Sequence, residues 1–114
     1  MKILHAAIVA VLSLGLTGCA VSEQEFVQNR NIINKRPDIR AKLRRDCIAD
    51  FKNDSMEKRE FLAAFTDLKV ATLPQTFCRR VEQAYLSGRL TYQDYKDVMH
   101  DKPTARLIRI LRGK

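Results

Sequence analysis

The residues of this 114-residue chain best equipped for chemistry are its three cysteines, Cys19, Cys47 and Cys78. A thiolate can attack an electrophile, bind a metal or join a second sulfur, so the surroundings of each thiol decide its use. Cys19 ends a long apolar stretch and has the small residues Gly18 and Ala20 on either side, while Cys47 and Cys78 lie in the more polar remainder. The other candidates are thinner. His100 stands in Asp97-Val98-Met99-His100-Asp101, a setting for a base or a metal ligand. A lone histidine near a helix end is more often a surface residue that interacts with the helix dipole. Ser22, Ser55 and Ser87 fall at cap or turn positions with no evident partner. Neither a glycine-rich phosphate loop nor a nucleophile elbow occurs. The expectation is a protein that is not an enzyme, with no catalytic residue, no metal site and no cofactor.

The segment ahead of Cys19 reads as a targeting leader. Met1-Lys2 supplies a short positive start, and Ile3 to Leu16 is apolar apart from His5, Ser13 and Gly15. A membrane-spanning helix needs about 20 apolar residues, and this run is shorter. Leu16-Thr17-Gly18-Cys19 resembles the lipobox of bacterial lipoproteins, an apolar residue three before the cysteine followed by two small ones. The resemblance implies that residues 1–18 are removed, that the Cys19 thiol receives a diacylglycerol and that the new amine is acylated. Ordinary signal-peptide cleavage after Ala20 is the competing reading, since Gly18 and Ala20 are both small at the required spacing. Ala20 rather than aspartate after the cysteine implies, by the same resemblance, the outer membrane, with the domain facing the periplasm. One acyl chain anchors only marginally, at about 0.8 kcal/mol per buried methylene, whereas two or three anchor stably. The membrane is thus an expected partner through the N-terminal lipid.

Without the leader the chain keeps 96 residues, enough for one small domain. Losing Lys2 leaves 20 basic and 13 acidic side chains, a net charge of +7. Nucleic acid would be the usual partner of such a charge, but export makes it the wrong one. Envelope anions remain: lipid head groups, lipopolysaccharide phosphates and peptidoglycan carboxylates. The bland reading is a solvated basic surface with no dedicated ligand. With Cys19 given to lipid, Cys47 and Cys78 are left in an oxidising compartment and are expected to pair as a disulfide. Closing that loop contributes about 3.5 kcal/mol in the chain-entropy model. Two buried free thiols or a metal pair are the alternatives, the second poorly supplied because His100 is the mature chain's single histidine.

Hydrophobic spacing shows what must position these groups. Residues 19–36 read as the lipidated cysteine and a polar tether, which as flexible coil spans on the order of 20–25 Å. Phe26, Val27, Ile32 and Ile33 offer a short helix that packs back as the alternative. Residues 37–114 form the domain. Pro37 suits a first helical position, and Ile39, Leu43, Cys47 and Phe51 recur every fourth residue with Ile48 beside them. Asp54 with Glu57 starts a second helix as a capping box, its buried face made by Phe61, Leu62, Phe65 and Leu68. Pro74 opens a third with Phe77, Cys78, Val81, Ala84 and Tyr85 on one stripe, stopped by Ser87-Gly88. Thr91 caps a short fourth with Asp94 at its third position and Tyr95, Val98 and Met99 on one face. Pro103 opens the last, where Leu107, Ile108, Ile110 and Leu111 alternate with arginines. No stretch alternates with period two. The fold class is all-α, a bundle of about four to five short helices with Cys47 and Cys78 on apolar stripes of different helices. Tyr85, Tyr92 and Tyr95 cover a small core with wet hydroxyls, or form a recognition patch.

Two local resemblances and one stripe bear on function. Residues 34–47, NKRPDIRAKLRRDC, resemble a segment of conjugal exclusion lipoproteins, with a proline-initiated basic helix ending in cysteine after a lipidated leader. That implies an inhibitory lipoprotein occluding a conjugation or secretion apparatus in the recipient cell. The likeness covers those 14 residues and the leader, and the second cysteine at position 78 departs from it. Residues 82–99, EQAYLSGRLTYQDYKDVM, are similar to short helical hairpins appended to many bacterial proteins, modules associated with binding. In the last helix Arg106, Arg109 and Arg112 recur every third residue, neighbours about 60° apart around the axis. With Lys114 they form a candidate contact for an anionic envelope surface. The alternative is a core-packing helix with solvated arginines. The terminal Lys114 also resembles the lysine by which major outer-membrane lipoproteins join peptidoglycan. The leading expectation is an envelope lipoprotein that works by binding.

Overall fold

Leucine, phenylalanine and cysteine at helical spacing, separated by proline, glycine and capping hydroxyls, produce short helices around one core. The structure, a computed structural model, describes residues 21–114. The expected leader 1–18 and the expected lipidation site Cys19 lie outside the described residues. Within them the chain forms α1 (Glu23–Lys35), α2 (Pro37–Lys52), α3 (Met56–Phe65), α4 (Leu73–Leu86), α5 (Tyr92–Met99) and α6 (Ala105–Leu111). The described residues contain no strand, and none of their helices is long and apolar enough to cross a membrane. The all-α expectation holds, with six helices in place of about four to five.

The extra helix is α1, where a polar tether was expected. Ser22 caps it, its Oγ accepting from the Glu25 N–H at 3.2 Å, and Glu23 and Glu25 complement the dipole in the first turn. Phe26, Asn29 and Ile33 form its buried stripe, with Phe26 1% and Ile33 2% exposed. Pro37 ends it by forcing Arg36 out of helical geometry. The carbonyls freed at that break are used: Arg40 donates Nη1 to Ile33 O at 2.9 Å and to Asn34 O at 2.8 Å.

Central helix α4 buries Leu73, Phe77, Cys78, Val81, Ala84 and Tyr85, and α1, α2, α3 and α6 all pack on it. Cys47 and Cys78 join α2 to α4, their sulfurs at disulfide distance with the Cα atoms 6.1 Å apart. Beside them Arg44 clasps Glu82 through two bonds of 2.9 and 2.7 Å. That contact holds the Arg44 guanidinium above its ordinary pKa.

Several boundaries move by a residue for identifiable reasons. Ser55, not Asp54, caps α3, its Oγ accepting from the Lys58 N–H at 3.2 Å; hydroxyl and carboxylate compete for one role and the hydroxyl fills it. Pro103 does not open α6. Thr104 caps the helix, accepting from the Leu107 N–H at 3.1 Å, and proline stands just before the cap. Phe61 does not join the core: at 60% exposed it stacks on Phe65 with ring centres 6.2 Å apart. Leu62, Ala63 and Thr66 turn inward instead. At the α4–α5 corner, Gly88 adopts φ +82, which glycine tolerates without a Cβ penalty. The Thr91–Asp94 capping box forms as expected, reciprocal at 3.1 and 2.8 Å.

Candidate functional site

The three tyrosines converge on the first residues of the described chain. Tyr85 sits on the buried face of α4, while Tyr92 and Tyr95 occupy the first turn of α5, which the Thr91 cap holds in place. Around Phe26 their rings stand at 4.8, 5.6 and 5.8 Å, with Tyr92 and Tyr95 themselves 5.8 Å apart. Edge-to-face and tilted ring pairs of this kind add stabilisation beyond area burial. The hydroxyls are directed at backbone. Tyr85 donates to Phe26 O at 2.6 Å and Tyr92 donates to Val21 O at 2.9 Å. The Val21 N–H in turn donates to the Tyr95 hydroxyl at 3.0 Å. Both backbone polar groups of Val21 are thus held, and its side chain is 5% exposed.

Burial pushes the Tyr85 phenol well above the usual tyrosine range, with the nearby Arg30 charge pulling the other way. It stays a protonated donor to Phe26 at neutral pH. The core role expected for these tyrosines is what the structure shows, but the hydroxyls are bonded rather than wet. Their partners lie 59 to 74 residues away in sequence, beyond the reach of spacing arguments.

The arginine stripe of α6 divides. Leu107, Ile110 and Leu111 are buried in the core, so the apolar face of this helix is occupied. Arg106 turns to α5, with Nε 3.3 Å from the buried Asp94 carboxylate and Nη2 bonded to the Arg89 carbonyl. Arg112 turns to the end of α3, donating to Phe65 O at 3.0 Å and standing 3.6 Å from Asp67. Arg109 and Lys114 are exposed. Next to this helix an open groove of about 260 Å3 is lined by Arg80, Gln83, Ser87 and Arg89. Arg80 already donates to Leu111 O at 2.8 Å. His100 is the exposed C-cap of α5. Among the described residues, no group of three histidine, cysteine or acidic side chains is arranged to hold a metal ion. A cavity of about 10 Å3 beside Cys47 and Cys78 has room for about one water at most.

Met56 and Phe61 are exposed apolar side chains of α3, the second one expected in the core from its spacing. What the whole arrangement does chemically is fix geometry: the tyrosine box locks Val21 and Phe26, the start of the described chain, onto the domain. Comparison with protein-family models, with curated proteins and with solved structures finds no match to this chain.

Proposed function

We propose that the chain is the precursor of an envelope lipoprotein, cleaved ahead of Cys19 and acylated there, whose helical domain acts by binding at the periplasmic side of the outer membrane. The observation that carries this reading is Leu16-Thr17-Gly18-Cys19 behind the apolar run from Ile3. The Cys47–Cys78 pair at disulfide distance supports it, because such bridges belong to oxidising compartments. So does the mature charge of +7 in a compartment rich in anionic surfaces. Exposed cations near the C-terminal helix that can meet such a surface include Arg109 and Lys114 on its last turn and Arg89 at the groove. A proteinaceous envelope partner would find the exposed Phe61 ring, stacked on Phe65, as an apolar contact.

Mass spectrometry of the membrane fraction tests the central claim. The expected result is an N-terminal acylated cysteine, with Cys19→Ser chains no longer anchored. Unmodified protein in the soluble periplasm, indifferent to Cys19→Ser, refutes it.

A further inference from the structure

The lipoprotein reading, on which this inference rests, puts acyl chains on Cys19. The structure clamps Val21, two residues later, through both of its backbone polar groups. Ala20 alone separates the two, so the Cα atoms of Cys19 and Val21 are at most about 7 Å apart. We propose that the domain has no working tether and lies flush against the bilayer that holds its lipid, with the end built from Val21, the first turn of α1 and the first turn of α5 facing the head groups.

The surface around that end suits the position. Ser22, Gln24 and Gln93 are exposed there, and Tyr92 is half-buried, a residue type at home at a membrane–water boundary. Lys96 stands over the Tyr92 ring at 5.4 Å from its centre, exposed to a head-group phosphate. Glu23 and Glu25 occupy the same end, so the charges are mixed. Apposition therefore comes from the short connection rather than from electrostatic attraction, and it persists at high salt.

The chain contains no tryptophan, which makes single-tryptophan reporters clean. Gln24→Trp and Gln93→Trp are each introduced into the acylated protein. The proteins are reconstituted into phosphatidylethanolamine–phosphatidylglycerol vesicles containing a lipid with a nitroxide on its head group. A second pair carries an eight-residue Gly-Ser spacer inserted between Ala20 and Val21, which gives the domain a reach of about 16 Å. The expected result is quenching of about twofold at both positions, insensitive to salt and largely abolished by the spacer. Unquenched tryptophans on a protein whose mass shows an acylated Cys19 overturn the flush placement while leaving the lipoprotein reading intact. Equal quenching with and without the spacer also overturns it, since adhesion would then not depend on the short connection. A mass showing unmodified Cys19 overturns both.

Discussion

Replacing Phe26 with alanine tests whether residues 21–35 belong to the folded domain. The ring is enclosed by three tyrosines within 5.8 Å and is 1% exposed. Removing a buried phenylalanine side chain costs about 3–5 kcal/mol through lost transfer energy and the cavity left behind. The box stands at the start of a helix and can partly collapse, so the lower end, about 3 kcal/mol, is expected. A domain of this length has about 5–14 kcal/mol in total, so the change is large. Urea denaturation of the leaderless Cys19→Ser chain measures it. Hydrogen exchange locates it: amides of α1 should exchange about a hundredfold faster, since each 1.4 kcal/mol is tenfold. Ile32→Ala on the same helix is the comparison. That side chain is 46% exposed, and its loss should cost under about 0.5 kcal/mol. If Phe26→Ala costs no more than Ile32→Ala and α1 exchanges as fast as free chain in both, residues 21–35 are a tether and the tyrosine box is refuted.

Three further outcomes are expected. Reducing Cys47–Cys78, separated by 31 positions, should lower stability by about 3.5 kcal/mol through loop entropy; a thermal melt that shifts by only a degree or two on reduction contradicts this. Gly88→Ala forces a side chain to φ +82 without a steric clash, the nearest atom being Arg30 Nη1 in ordinary van der Waals contact at 3.7 Å. It should cost about 1 kcal/mol from backbone strain alone, and Gly88→Asn less, as read from urea midpoints. Finally, Tyr85 gains its raised pKa on folding. The stability it contributes is fully present below the unfolded value near pH 10 and is lost as pH rises beyond it toward the folded value. Alkaline titration followed by phenolate absorbance should show one tyrosine ionising together with loss of helical circular dichroism, and Tyr85→Phe should remove that component.

The helices with strong apolar stripes were legible. Ile39, Leu43, Cys47 and Phe51 in α2, and Phe77, Cys78, Val81 and Tyr85 in α4, repeat at helical spacing and face the core side of their helices. That shared direction brings the two thiols together. Helix α1 was legible only as the alternative to a tether, because its buried stripe contains a polar Asn29, while Val27 and Ile32 lie on the exposed side. Periodicity cannot separate such a helix from polar coil; tertiary packing on the tyrosine box decides it. The α6 arginines illustrate the opposite limit. Their even spacing is real, but the partners that divide them, Asp94 on α5 and Phe65 and Asp67 at the end of α3, are 12 to 47 residues distant. Adjacent capping residues such as Asp54 and Ser55 were ambiguous for a simpler reason: either side chain can accept the same bond.

The tyrosine box also orders events in time. On the lipoprotein reading, export delivers Val21 to the periplasm first and Tyr95 74 residues later, and an interval separates the two. During it, the 13 residues of α1 have none of the rings they pack against, and an isolated helix of that length is marginal in water. The N-terminal segment therefore stays open until the chain is nearly complete. Cys47 and Cys78 both precede the three tyrosines in the chain, so in an oxidising compartment the α2–α4 link can close while α1 is still loose. On the lipoprotein reading, cleavage and acylation at Cys19 have this window, and docking of Val21 ends it. Once the last turn of the box is made, the fold grips both backbone polar groups of Val21, and a protease that needs this stretch extended has to open the box first.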